Sequence, residues 1–175
     1  NLLKKIPKFE KSENFNKILN KNILLHKFDY IKDSINVQKK IINKNIQKEL
    51  IFKTHHFFGE IDGHHFTNKE NTKCFIYLVR DPREVLVSYS NHSQMDISEQ
   101  IKLFLSNDIV HLKDIEMIVN WGLHYKSWKS FQKIVPNLFL RYEDLVTDPE
   151  KFFNKIIIFL SDFIDIHLDK KLLFK

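Results

Sequence analysis

Residues 73–83, KCFIYLVRDPR, hold the pattern on which the fold turns. KCFIYLV (73–79) is a continuous run of apolar, β-branched and aromatic residues, which suits a strand in a sheet covered on both faces. Asp81-Pro82 stops the strand, and Pro82 fits the first turn of a helix that continues through Val85, Leu86 and Tyr89. Working outward, NLFLRY (137–142) reads as another strand. After it, Thr147-Asp148-Pro149-Glu150 starts a helix through Phe152, Phe153, Ile156, Ile157 and Leu160. ELIFKT (49–54) reads as a third, buried strand. Strands separated by helices predict βαβ units: an α/β fold in three layers, a parallel sheet flanked by helices.

The remaining segments fit around that core. Residues 1–48 form a poorly patterned helical region, with helical periodicity around Phe15, Ile18 and Leu19 and again around Ile35, Ile41 and Ile42. Residues 55–71 hold two glycines, four histidines and several polar residues, which is loop chemistry. Asp96 with Glu99 makes a capping-box pattern before Ile101, Phe104 and Leu105. Residues 112–134 present Ile115, Ile118, Trp121, Tyr125 and Trp128 at helical spacing and predict one long helix. The expectation is a single domain over 1–175, with its motifs in 49–160.

Composition narrows the function classes. At 175 residues and 43% hydrophobic the chain can build one core, not two comfortable domains. Gly59, Gly63 and Gly122 are its only glycines, and they cannot build G-x-G-x-x-G or G-x-x-x-x-G-K-[ST]. A single cysteine, Cys74, rules out an internal disulfide or a thiolate zinc cluster; inside an apolar run it reads as buried and inert. The longest apolar runs are far below membrane-spanning length, and no charged-then-apolar leader opens the chain. A soluble protein of the reducing cytoplasm is expected. Starting at Asn1 and stopping mid-pattern at Lys175, the chain reads as a fragment.

Net charge is +6, yet all but three of the 28 basic residues are lysines. The exceptions are Arg80, Arg83 and Arg141. Arginine presents a planar fork that binds phosphate or carboxylate bidentately, which lysine cannot copy. Arg80 stands at the carboxyl end of the clearest strand, just before a helix amino-terminus, where open α/β sheets bind ligands and anions. Ser88 lies one to two turns into that helix and can add a hydroxyl donor. An anion pocket is one reading; a local pair of Arg80 with Asp81 or Glu84 is the other. Lys53-Thr54-His55 closes another strand, and a Lys for negative charge beside a His for proton abstraction suits transfer of an anionic group to a hydroxyl. Taken alone, a His beside another His in a loop is more often a surface residue. His55, His56, His64 and His65 invite a zinc reading, without H-E-x-x-H spacing or a Cys ligand to support it. Tyr142 can line a base pocket or simply end its strand as a half-buried aromatic.

FKTHH (52–56), FIYLVRDPREVLVSYSNH (75–92), WGLHYKSW (121–128) and LFLRYEDLVTDPEKFFNKIIIFL (138–160) together resemble the sulfotransferase domain family, in the same order and at similar spacing. The likeness is greater to cytosolic and bacterial members, which carry K-T-H on one strand and V-R-D-P-R followed by a serine. It covers residues from about 50 to 160. The resemblance implies a P-loop-NTPase-like sulfotransferase fold and the donor 3′-phosphoadenosine 5′-phosphosulfate, with no metal. Arg80 and Ser88 match the residues that hold the donor's 3′-phosphate, and Tyr142 resembles the tyrosine that contacts adenine. His55 matches the general base, and Lys53 a lysine near the phosphosulfate bridge. Trp121, His124 and Trp128 match a helix with mainly a packing role, and Glu143 and Asp144 are expected to fix the strand-to-helix turn.

The departures shape the expectation as much. The family's amino-terminal P-K-[ST]-G-T/N-T-W-like loop, which holds the 5′-phosphosulfate, is absent, and so is the carboxyl-terminal R-K-G-x-x-G-like segment. An incomplete fold is expected, with the 3′-phosphate half of the site and the base but not the sulfonate-end cradle. The acceptor stays open between small molecules, glycans and lipids, its pocket expected in loops 56–72 and 91–107. A non-catalytic nucleotide- or anion-binding remnant of the same fold is the alternative to transfer. Charge alone suggests nucleic-acid binding, but the lysines are dispersed and no Arg–aromatic interleaving accompanies them, so no nucleic-acid partner is expected.

Overall fold

The computed structural model describes residues 6–9, 11–20, 22, 29–45, 50–106, 110–111 and 117–164. Its amino-terminal part is a helix pair, α1 (Ser12–Leu19) and α2 (Asp29–Lys44). On α2, Tyr30, Ile31, Ser34 and Val37 recur at helical spacing and are all buried. They pack with Phe9, Phe15 and Phe66 into one apolar cluster, in which Phe9 meets Phe15 and Phe66 edge to face. Asn20 closes α1 in the left-handed region (φ 54°), its N–H donating to the Asn16 carbonyl.

Several polar groups around this cluster are paired, although the buried Tyr30 hydroxyl finds no partner among the described residues. Ser34 Oγ donates to the Phe66 carbonyl at 2.6 Å, and Gln38 Nε2 donates to the same carbonyl at 2.9 Å. Gln38 Oε1 accepts from the buried Thr67 hydroxyl at 2.7 Å, and Asn71 Nδ2 donates to the Ile35 carbonyl at 3.0 Å. These bonds tie the 66–72 loop to α2. Gln38→Leu should therefore destabilise the fold by about 1–3 kcal/mol, since it strips partners from buried groups; a lowered urea midpoint at unchanged slope would show it.

Of residues 49–54, expected as a strand, Glu49 lies outside the described residues, and 50–54 form only an isolated parallel bridge, Lys8 to Lys53. Phe9 N–H donates to the Lys53 carbonyl at 3.1 Å and Lys53 N–H to the Pro7 carbonyl at 3.0 Å. Leu50, Ile51 and Phe52 are exposed. Apolar content makes a strand only where a neighbour completes the ladder, and among the described residues that happens at Lys53 alone. The 55–71 segment, expected as loop, contains a hairpin of β1 (Glu60–Ile61) and β2 (His64–His65). Its two-residue turn, Asp62 (φ 51°) and Gly63 (φ 77°), has both residues in the left-handed region, the Asp-Gly signature of a tight hairpin.

The core strands are β3 (Phe75–Val79) and β6 (Asn137–Arg141), parallel and in register from Phe75–Asn137 to Val79–Arg141. β3 leads into α3 (Pro82–Ser93), capped by Asp81 with Pro82 in the first turn, and then α4 (Ile97–Leu105), capped by Asp96. A short antiparallel pair follows, β4 (Val110–His111) with β5 (Met117–Ile118). The helix expected over 112–134 is α5 (Trp121–Phe131), and 112–116 lie outside the described residues. Asn120 Oδ1 accepts from Leu123 N–H and starts α5 there, while the preceding β-branched Ile118-Val119 favours extended backbone. After β6 comes α6 (Tyr142–Thr147), a short helix where only a turn was expected, and α7 (Pro149–Ser161), capped by Asp148.

Phe75, Tyr77 and Phe139 project from one face of the strand pair onto Trp128 and Phe131 of α5 and Val135 beyond it. The opposite face is not fully covered as expected: Leu140 is buried, but Ile76 is 37% and Leu78 46% exposed. Cys74, expected buried, is half-buried, and burial pushes its thiol pKa up, so it stays protonated. Among the described residues no helix is long and apolar enough to cross a membrane.

Candidate functional site

The in-register ends of β3 and β6 place Arg80 and Tyr142 one residue past the paired Val79 and Arg141. The Arg80 guanidinium carbon lies 4.7 Å from the centre of the Tyr142 ring, a cation–π contact. Arg80 Nη2 also pairs with Glu84 Oε2 at 3.3 Å, so the local pair foreseen as the plainer reading is present. Such exposed i,i+4 pairs hold by only about 0.3–0.5 kcal/mol, weak enough for a multivalent anion to displace. Glu84 and Ser88 follow at i,i+4 spacing on α3, and Ser88 is exposed.

The other two arginines pair with neighbouring carboxylates. Arg83 grips the Asp81 carboxylate with Nε at 3.0 Å and Nη2 at 2.6 Å, while its own N–H donates to Asp81 Oδ1 at 2.9 Å. This pairing holds Asp81 down to about 2. Glu143 Oε1 accepts the Asp81 N–H at 2.9 Å, which holds its carboxyl below the usual range. Arg141 Nε lies 3.8 Å from Glu143 Oε2. Glu143 thus joins the two strand ends across the site, beyond fixing its own turn.

His55 lies on the segment that follows the Lys53 bridge. Extended backbone alternates its faces: Lys53 and His55 are exposed, whereas His56 is fully buried. His56 stacks between Phe57 and Phe66 and meets Tyr30 edge-on. Burial drives its pKa down to about 3, so it is neutral at ordinary pH. The four histidines of the zinc reading are set apart: His56 sits among aromatic rings, His64 and His65 belong to the hairpin, and His65 pairs with Glu60 at 3.5 Å. No group of three or more His, Cys, Asp or Glu suited to a metal occurs among the described residues.

α5 grips the His55 segment directly. His124 Nε2 lies 3.1 Å from the His55 carbonyl, Trp128 Nε1 donates to the His56 carbonyl at 2.9 Å, and Phe58 N–H donates to Ser127 Oγ at 2.9 Å. Tyr77 of β3 reaches the other ring nitrogen, its hydroxyl 2.9 Å from His124 Nδ1. Burial lowers the His124 pKa to about 4 and raises that of Tyr77, so both are neutral. Tyr77 precedes Arg80 by three residues, about 10 Å of strand, so the strand that ends in Arg80 also braces the His55 segment. Sequence alone assigns His124 to packing and gives Tyr77 no role beyond its strand. The spacing of His124, Ser127 and Trp128 in WGLHYKSW marks a helix face without saying which backbone it meets.

Comparison with known proteins gives this geometry a family. Residues 1–170 match the sulfotransferase domain. The chain belongs to the sulfotransferase domain family. It is 31% identical to mouse (Mus musculus) sulfotransferase 1B1 over 104 residues, 55% of this chain and 32% of that protein. It is 33% identical to guinea-pig (Cavia porcellus) 3-beta-hydroxysteroid sulfotransferase over 94 residues, 49% of this chain and 30% of that protein. Rabbit (Oryctolagus cuniculus) amine sulfotransferase is 29% identical over 94 residues, 53% of this chain and 31% of that protein. The crystal structure of mouse sulfotransferase SULT7A1 complexed with PAP superposes with a TM-score of 0.55 at 25% identity, covering 74% of this chain and 46% of that one. These matches span about a third of the curated relatives' length. The described residues have the α/β fold of that family.

Proposed function

We propose that this sulfotransferase-family chain binds 3′-phosphoadenosine 5′-phosphosulfate and serves transfer of its sulfonyl group to a hydroxyl or amine acceptor. The observation that carries the reading is the Arg80–Tyr142 contact at the paired strand ends, a cation beside an aromatic face just before a helix amino-terminus. Arg80 and the Ser88 hydroxyl take the 3′-phosphate, and the Tyr142 ring offers a face to adenine. In the transfer step the acceptor oxygen or nitrogen attacks sulfur as the bond from sulfur to the bridging oxygen breaks. His55 takes the acceptor's proton, and the electron pair leaves on adenosine 3′,5′-bisphosphate. Lys53, exposed two residues before His55, offsets the charge that develops on that leaving group. Relatives named for steroid and amine substrates and a solved relative holding PAP support a small-molecule acceptor and this donor.

Calorimetry with adenosine 3′,5′-bisphosphate and 5′-AMP tests the donor half. The bisphosphate should bind at least tenfold tighter, about 1.4 kcal/mol. Arg80→Ala should remove about 1.5–3 kcal/mol of its binding, the range for a lost charged hydrogen bond. Equal binding of both nucleotides, or an unaffected Arg80→Ala variant, would overturn the assignment. A non-catalytic nucleotide-binding remnant of the same fold is the second reading. It predicts the same binding without turnover.

A further inference from the structure

The geometry points to His124 as a positioning residue for His55, held in one tautomer by Tyr77. The inference rests on the reading of His55 as the base and adds what keeps it in place. Residues 54–59 belong to no strand or helix, so no ladder satisfies their backbone groups. Three side chains of α5 do so instead, His124, Ser127 and Trp128, at the i, i+3, i+4 spacing that shares one helix face.

The hydrogen-bond directions follow from chemistry. A carbonyl oxygen only accepts, so His124 Nε2 carries the proton it gives to the His55 carbonyl. In the neutral ring Nδ1 is then an acceptor, and the Tyr77 hydroxyl must donate to it. Ser127 obeys the same logic: its hydroxyl donates to the His124 carbonyl at 2.7 Å and keeps a lone pair for Phe58 N–H. Without the Tyr77 hydroxyl nothing at Nδ1 favours this tautomer, and the alternative Nδ1–H form has no proton for the His55 carbonyl. A residue pinned through its backbone presents its side chain in a narrow range of directions, and misplacing a catalytic group by 1 Å can cost about a hundredfold in rate.

The test is NMR of the whole chain with ¹⁵N-labelled histidine, together with bisphosphate affinity and transfer kinetics. The wild-type His124 ring should be the Nε2–H tautomer, and Tyr77→Phe should give a mixture. His124→Phe should broaden or split the His55 ring signals and lower kcat by about ten- to a hundredfold, with KM and bisphosphate affinity unchanged. His124→Gln, which keeps a donor for the carbonyl, should restore both. An Nδ1–H tautomer in the wild type overturns the inference, and so do unchanged His55 signals in His124→Phe. If His124→Phe does not fold, Tyr77→Phe decides, because unchanged His55 signals there overturn it as well. Disturbed His55 signals alongside full activity of His55→Ala would sink the base reading and leave the positioning intact. Undisturbed signals alongside a dead His55→Ala variant would do the reverse.

Discussion

His55→Ala is expected to lower sulfonyl transfer by about 10²–10⁴-fold, the usual contribution of a positioned general base, while nucleotide binding stays within about twofold of wild type. The separation follows from the architecture. His55 lies on the segment gripped by α5, whereas the proposed nucleotide contacts, Arg80 and Tyr142, sit at the ends of β3 and β6. The side chain of His55 is exposed, so its removal takes little packing from the core. The measurement is single-turnover transfer with an alcohol or amine acceptor beside calorimetric binding of adenosine 3′,5′-bisphosphate. Full activity in His55→Ala would mean that another group removes the proton. A parallel loss of nucleotide binding would mean that the 55–58 segment belongs to the donor site.

Acidification should destabilise the fold through His56, well above the pH at which most carboxylates protonate. Its folded pKa of about 3 lies below the ordinary 6.5, and burial is the main cause. The unfolded chain therefore takes up a proton that the folded chain refuses. Stability from this residue is complete above pH 6.5 and is lost steadily as pH falls toward 3. At 1.36 kcal/mol per pKa unit, the full span is on the order of 4–5 kcal/mol, and about half of it is gone by pH 4.5. That is comparable with the whole stability of a small domain. His124, held at about 4, adds loss in the same direction between 6.5 and 4. Half-buried Asp81 and Glu143 act only at lower pH, where protonation undoes their hydrogen bonds. Denaturant titrations from pH 7.5 to 4 would show the decline. His56→Phe, which preserves stacking against Phe57 and Phe66, should flatten it; an unchanged slope would place the acid response elsewhere.

Much of the site was legible because its signals are local. Pro82 after Asp81 marks a helix start whatever surrounds it, since proline lacks the N–H that the first turn leaves unused. The same holds for Asp96 and Asp148, whose carboxylates accept first-turn N–H groups as their positions suggested. Arg80 and Tyr142 could each be placed at a strand end from sequence, but their meeting at 4.7 Å depends on the β3–β6 register. Asp62-Gly63 carried a hairpin signature that went unread within a histidine-rich loop. Residues 49–54 misled for the opposite reason: their composition suits a strand, but a ladder needs a partner, and composition says nothing about partners.

The strand FIYLV, the caps and the kinds of chemistry on offer were settled along the chain, because dihedral preference, hydrophobic period and side-chain type act over a few residues. Where those groups came to rest was settled only by packing. His56 became a buried neutral ring while neighbouring His55 stayed exposed, because the segment turns one face to Tyr30 and Phe66. Glu143 reached across to Asp81, 62 residues earlier in the chain, and His124 met a carbonyl 69 residues away. Such pairings depend on how strands and helices stack, and short stretches of sequence do not encode that.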